Sequence, residues 1–283
     1  MSMKLVVFGR SGQVATELGA FPNVTALGRN AADLSDPGAC ADIIAATDAD
    51  AVINAAAWTA VDGAEVHEAE ATAINATAPG AMAAACAARG LPFLHVSTDY
   101  VFDGSGTAAH APGDPVAPIN AYGRSKLAGE RAVAAAGGAH LILRTSWVFS
   151  AHGSNFVRTM LRLAQTRDTV SVVDDQVGGP TPAADIAATL VVLARALRDG
   201  HSGGIHHYAG APAVSWAGFA RETFRQAGRA VTVTGIPTAE YPTPARRPLN
   251  SRLDCASLAA DFGITPPDWK AGLARVVAQL EGA

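Results

Sequence analysis

Cysteine is scarce in this chain: Cys40, Cys86 and Cys255 stand far apart and form no Cys-x-x-Cys or Cys/His set. That spacing excludes a disulfide scaffold and a zinc ligand pattern, and the three read as small packing residues in a reducing compartment. Charge is sparse as well. Charged residues are 16% of the 283, and the net charge is −4, which argues against a general nucleic-acid or anionic-membrane surface. An anionic ligand would therefore need arginines gathered locally. No apolar run reaches the ~20 residues of a bilayer span. No basic segment, apolar region and cleavage site stand in order ahead of Lys4-Leu5-Val6-Val7-Phe8. No membrane partner is expected, and the cytoplasm is the expected location. Repeats and low-complexity linkers are lacking too, since alanine-rich stretches such as Ala81 to Ala88 are good helix formers. What is present is apolar content, 49% of the chain, enough for one large α/β domain or a main domain with a smaller lobe.

The apolar run Leu5 to Phe8 stops at Gly9, and Gly9-Arg10-Ser11-Gly12-Gln13-Val14-Ala15 leads into helix formers. A strand, a glycine turn and a helix together make the place where backbone N–H groups receive a pyrophosphate. Gly9, Ser11, Gly12, Gln13 and Val14 are the candidates; a plain βα turn is the competing reading. Ala15 stands where a third glycine is common and is small enough for close packing. The second strand, Val24 to Leu27, lacks the acidic residue after it that would select NAD. Arg29 is there instead and suits a 2′-phosphate, so NADPH is favoured, with NADH kept as a second reductant. Asp33 and Leu34 are placed along the adenine, and Ser35 or Asp36 caps the next helix. Ala51 to Asn54 is a third strand running into Ala55-Ala56-Ala57-Trp58-Thr59, small residues against which a cofactor can lie. Helices are expected over 65–69 and 74–88, with Asn75 reaching back to the loops. In the fourth strand, Phe93 to Ser97, His95 reads as a satisfied core histidine.

Ser97-Thr98 ends that strand, and Tyr122 and Lys126 follow, four residues apart. On a helix this spacing puts both side chains on one face. A phenol ionises near pH ~10, and a neighbouring ammonium lowers that value. Tyr122 is thus a proton donor or acceptor for an oxygen, and Thr98 a second hydrogen-bond donor to a carbonyl. Leu141 to Arg144 is a fifth strand. Regular alternation of strand and helix to this point predicts a parallel sheet with right-handed crossovers. Further on come a helix over 156–165, a strand over 170–173, a polar loop over 174–181, a helix over 183–198 and a strand over 205–208. A helix over 216–227, a strand over 231–235 and an amphipathic helix from Asp268 complete the pattern. The loop Pro237 to Leu253 carries Arg246, Arg247 and Arg252 on proline-rich backbone, which suits a diphosphate; a solvated arginine run is the competing reading. The expected fold class is α/β, a Rossmann-type doubly wound parallel sheet with a smaller C-terminal α/β substrate lobe. Residues 1–150, with 170–207 returning to the sheet, would bind NADP, and 151–169 with 208–283 would form the lobe.

The chain resembles the extended short-chain dehydrogenase/reductase superfamily and, within it, the dTDP-4-dehydrorhamnose reductase family, nearly end to end. The superfamily is marked by Gly12-Gln13-Val14, Asn54-Ala55-Ala56-Ala57, Ser97-Thr98-Asp99-Tyr100 and Tyr122-Gly123 with Ser125-Lys126. The reductase is marked by Arg144-Thr145-Ser146-Trp147-Val148 and by Tyr241-Pro242-Thr243-Pro244-Ala245 with Arg247-Pro248 and Asn250-Ser251-Arg252. The resemblance implies reduction by NADPH of the C4 keto group of a dTDP-sugar, with Thr98, Tyr122 and Lys126 catalytic. It implies a cofactor held by the residues above, together with Ala57, Trp58, Thr59, Asn75 and Ser97. It places Val61, Thr98, Asp99, Trp147, Arg247, Asn250 and Arg252 on the sugar nucleotide. Some relatives dimerise through magnesium bound by glutamates; Glu17 matches one such position, but Pro182-Ala183-Ala184-Asp185 supplies no glutamate at the other. No metal and a monomer are expected. The alternatives are another nucleotide-sugar reductase or epimerase, and a non-catalytic NADP-binding regulatory subunit like that of methionine adenosyltransferase.

Overall fold

Residues 3–282 are described by the structure, a computed structural model. Strands β1 (Leu5–Phe8), β2 (Val24–Leu27), β3 (Ala51–Asn54), β4 (Phe93–Thr98) and β5 (His140–Thr145) join the strand Gly204–His207 in one sheet. Its order is Gly204–His207, β5, β4, β3, β1, β2, and every pairing is parallel. β1 and β3 are buried along their whole length. A parallel sheet is covered on both faces, which is why these strands read as unbroken apolar runs and not as alternation. Strand order reverses between β1 and β3, so a crevice opens there at the C-terminal ends of the strands.

Side chains of β1 leave alternately to the two faces. Leu5 and Val7 meet Val14 and Leu18 of α1 (Gln13–Leu18) and Ile186 and Leu190 of the helix Ala183–Arg198. Val6 and Phe8 meet Ile44 of α2 (Pro37–Ala46), which Asp36 caps through the Ala39 N–H at 3.0 Å. After β3 come two short helices, α3 (Val61–Ala64) and α4 (Glu68–Thr72), in place of the single helix expected over 65–69. A five-residue π turn, Ala73–Thr77, then leads into α5 (Ala78–Ala88), whose Met82 and Cys86 complete the second core.

Helix α6 (Ala121–Ala135) is capped by Asn120, whose Oδ1 accepts from the Gly123 N–H at 2.8 Å. Two glycines set how closely it packs. A β-carbon at Gly123 would run into the Tyr100 carbonyl oxygen, and one at Gly129 into that of Asn75. One turn below Lys126, Glu130 forms a two-point pair with Arg144 of β5, at 2.9 Å and 2.7 Å, with both groups buried.

The remainder packs around Phe149, Phe219 and Trp269. Helices Phe156–Leu163, Trp216–Gln226 and Trp269–Glu281 supply that core. The strand expected to return to the main sheet over 170–173 does not. Thr169–Val173 pairs in parallel with Thr232–Ile236 as a separate two-stranded sheet, so only Ala183–Arg198 and Gly204–His207 rejoin the large one. Apolar content alone does not distinguish the two partners, because both sites bury a strand. The loop expected over 174–181 contains Val177–Gly178, which pairs with Val214–Ser215 and Asn250–Ser251 and ties three distant segments together. Helix Ala256–Phe262, unanticipated, ends at Gly263 with φ 67°. No described helix is long and apolar enough to cross a membrane.

Because Gly129 seats α6 on the Asn75 carbonyl, Gly129→Ala is expected to cost about 1–3 kcal/mol of stability by overpacking. Chemical denaturation checks this, and an unchanged midpoint would refute the close approach.

Candidate active site

The crevice at the β1–β3 reversal is a cavity of about 800 Å³. One wall is the glycine turn. Gly9 holds φ +116°, and a β-carbon there would come within 3.2 Å of Ala15 Cβ and 3.3 Å of the Ala55 carbonyl carbon. Glycine is required by both the angle and the approach, and Ala15 is as large as that contact allows. Above Gly12 the space is open, with nothing within 4 Å of a built β-carbon. The Gln13 side chain is committed to the segment beyond β5: Nε2 donates to the Val148 carbonyl, and Oε1 accepts from Ser150 and Asn155. Of Gln13, that leaves the backbone for a ligand. Arg29 is exposed at the rim beside Asp33. The Asp33 carboxyl is held below its usual range by hydrogen bonds from Ser35, with the Arg29 charge adding to them.

Thr98, Asp99, Tyr122 and Lys126 line the same cavity. The Thr98 hydroxyl donates to Asp99 Oδ1 at 3.2 Å and accepts from the Tyr100 N–H at 3.2 Å. Burial pushes the Tyr122 phenol up to about 12; the Thr98 hydroxyl pulls it down and the Asp99 charge raises it further. The expected depression of the phenol by the ammonium is not among the causes of that shift. The Lys126 Nζ is turned to the Val96 carbonyl at 2.7 Å and to His95 Nε2 at 3.2 Å. Burial lowers Lys126 itself to about 8. Asp99 is equally enclosed: Oδ2 has no hydrogen-bond partner among the described residues. Its carboxyl is pushed up to about 6 by burial, against the nearby Ser251 and Thr98 hydroxyls.

Trp147 stands at the start of the lobe with φ 49°, a rare backbone state for a bulky residue. Its indole stacks on Trp216, centroids 3.6 Å apart and planes 11° from parallel, and both rings line the cavity. Trp216 was not singled out from the sequence; its only signal is being one of four tryptophans. Arg10, also missed, packs along Gly28 and lines the cavity with Arg29.

The cavity wall also takes in Gly9, Ser11, Gly12, Gln13, Val14, Leu34, Ala55, Ala56, Ala57, Thr59, Val61 and Ser97. Five expected residues are not in it. Trp58 donates from its ring to the Ala60 carbonyl and lies against His67. Asn75 sits beneath the wall, where its amide brackets the Trp58 backbone at 2.8 Å and 3.1 Å and donates to Ser125 at 2.9 Å. Arg247 pairs with Asp62 of α3 at 2.9 Å. Asn250 donates to the Ala108 carbonyl at 2.7 Å and accepts from Arg252 at 2.9 Å. Each has polar partners within the chain.

The family model described as the RmlD substrate binding domain matches residues 3–281. The chain is similar to a dTDP-4-dehydrorhamnose reductase of Sinorhizobium fredii, 45% identical over 97% of each chain. It is also similar to one of Escherichia coli, 38% identical over 98% of each. Among solved structures it is similar to a dTDP-4-dehydrorhamnose reductase of Bacillus anthracis in complex with NADP. That match has a TM-score of 0.93 and 31% identity, covering 99% of this chain and all of that one.

The raised Asp99 pKa has a defined sign. The native protein keeps the proton that the unfolded chain releases near 3.8, so stability from this group falls as pH rises from 3.8 to about 6. Wild type is expected to lose roughly 2–3 kcal/mol relative to Asp99→Asn across that window, measured by paired denaturation curves; a constant difference would refute the buried, proton-holding carboxyl.

Proposed function

The chain belongs to the dTDP-4-dehydrorhamnose reductase family, and we propose that its cavity reduces the C4 keto group of dTDP-4-dehydro-L-rhamnose to give dTDP-L-rhamnose. It is an NADPH-dependent oxidoreductase of dTDP-rhamnose synthesis. The observation that carries the site assignment is one cavity walled by both the glycine turn and Thr98, Tyr122 and Lys126.

A dinucleotide fits the residues present. The wall at Gly9, Gly12 and Ala55 to Ala57 offers backbone and little side chain, with open space above Gly12 and two arginines at one end. We assign the pyrophosphate to the backbone of Gly12, Gln13 and Val14, and the adenosine to Arg29, Asp33 and Leu34. Ala57 and Thr59 line the nicotinamide half. Bound NADPH supplies the hydride for C4.

The chain's own groups handle the oxygen. Burial keeps Tyr122 protonated, so Tyr122 Oη holds the proton that passes to O4 as negative charge develops there. The Tyr100 N–H fixes the Thr98 oxygen, and the hydroxyl proton turns from Asp99 to the carbonyl to hold it. Val61, Asp99 and Trp147 contact the sugar, and the Trp147–Trp216 stack keeps water from one side. Trp58 and Asn75 act by fixing the loop around Ala57 and Thr59. Arg247, Asn250 and Arg252 act by fastening the tail near the cavity.

For oligomeric state we infer a monomer. Glu17 lies 3.4 Å from His152, and Asp185 is paired with Arg275 at 2.8 Å. Sedimentation should give the mass of one chain, 28.8 kDa, with and without chelator. A chelator-sensitive dimer would reverse this inference.

Followed by loss of NADPH absorbance with the 4-keto sugar, wild type should turn over. Tyr122→Phe should lose about 10²–10⁴-fold in kcat while still binding NADPH. Silence of a wild type that binds NADPH would sink the reductase reading.

A further inference from the structure

Lys126 is almost wholly buried, yet the two partners of its Nζ are uncharged. One is the Val96 carbonyl. The other is His95 Nε2, on a ring with no exposed surface. The identity of the donor in that second bond can be worked out from the next links. His95 Nδ1 lies 3.2 Å from Asn54 Nδ2, and Asn54 Oδ1 accepts from the Ala56 N–H at 3.1 Å.

A backbone N–H can only donate, so the Asn54 amide must present its oxygen to Ala56 and its N–H to His95. Nδ1 of His95 is then an acceptor. The single proton of the neutral imidazole sits on Nε2, facing Lys126. An ammonium has only donors, and it would meet that N–H donor to donor. The contacts close when Lys126 is an amine whose lone pair accepts from His95 Nε2–H while one of its own N–H groups goes to Val96.

We propose that Asn54 and His95 are positioning residues that lock Lys126 as a hydrogen-bond acceptor in the cofactor-free protein and lower its affinity for a proton. The surrounding charges leave the lock in control. On α6 itself Tyr122 is neutral, and Glu130, although paired with Arg144 of β5, raises the Lys126 value, by less than burial lowers it. From β4 comes His95, held well below its ordinary value chiefly by burial, and just beyond β4 lies Asp99, also buried. From β3 comes only the uncharged Asn54. Burial of Lys126 acts in the same direction as the lock. Lys126 therefore exchanges a proton in the range where the reaction runs, beside the phenol that gives one up.

The test has two arms, and only the second rests on the reductase reading. In protein labelled with ¹⁵N-histidine and free of cofactor, the His95 signal, assigned by comparison with His95→Gln, should show a bare Nδ1 and a protonated Nε2. It should not titrate through neutral pH. A proton on Nδ1, or an imidazolium, would overturn the lock whatever the enzyme reduces.

In the second arm Asn54→Asp supplies a carboxylate that accepts from His95 Nδ1–H and turns Nε2 into an acceptor for an ammonium. The alkaline limb of the kcat–pH profile should move up by about one unit. A merely structural role would lower activity without moving that limb. An unmoved limb with a switched tautomer overturns the proposal. Should Asn54→Asp fail to fold, the wild-type tautomer still decides.

Discussion

Glu130 and Arg144 meet where α6, β4 and β5 come together, and the placement of the reacting groups depends on that pair. The carboxylate takes both guanidinium nitrogens and the Ser97 hydroxyl at 2.6 Å, so it binds the helix to two strands at once. Arg144 goes on to the Pro112 carbonyl and lies over the face of Phe102 at 5.1 Å, which fixes the proline-rich loop ahead of Tyr122. Removing one partner of such a pair leaves a bare charge in the interior and costs about 3–5 kcal/mol. The pair is therefore less a source of net stability than a constraint. It admits one position of α6, and Tyr122 and Lys126 ride on that helix. The absence of side chains at Gly123 and Gly129 sets how far the helix can sink, and Glu130 sets where along the sheet it stops.

How much of this the sequence discloses follows from the range of each interaction. The parallel sheet is legible because β1, β3, β4 and β5 are mostly apolar runs, and because Gly9 marks a turn locally. The Tyr122–Lys126 spacing is legible for the same reason, since both partners lie within one turn of helix. The partner of Thr169–Val173 is not, because Thr232–Ile236 lies some sixty residues on and nothing local marks the pairing. Nor are the roles of Arg247 and Asn75. Arg247 looks like a free cation until Asp62, 185 residues away, is seen to hold it. Asn75 is expected to reach back to the loops, but that its amide brackets the backbone of Trp58 is seen only in the fold. The sequence gives polar residues near a site; whether each faces inward or is taken up by the frame depends on contacts between distant segments.

Trp147 shows the same dependence from the other side. A bulky residue at φ 49° is held there against its own preference, and the holding is done by Gly178 beneath it and Trp216 across it. Gly178 belongs to the short strand that also pairs with Asn250–Ser251. The tail segment whose arginines do not reach the cavity thus still shapes it, through the floor under Trp147. A β-carbon at Gly178 would meet the indole at 2.8 Å, so the stack can exist only with glycine there. Backbone strain of this kind persists where the surroundings over-determine it, and here it falls on a residue that lines the cavity.

The titrating groups around Tyr122 are shifted towards their neutral forms, unlike Asp33 at the rim. Tyr122 and Asp99 move up and Lys126 moves down, in each case with burial as the leading cause. A site that met a polyanionic ligand with fixed internal ion pairs would have to break them on binding. This one keeps its strong pair, Glu130 with Arg144, behind the wall and leaves exposed Arg29 at the rim. The side chains of Thr98, Asp99 and Lys126 are buried, and Tyr122 is half-buried. Charge that appears on a substrate oxygen there is weakly screened, so a nearby proton donor acts on it more strongly than it would in water. For the proposed reduction the high Tyr122 pKa, which at first looks adverse to catalysis, has a use: the proton stays on the phenol until an alkoxide more basic than it is forms beside it.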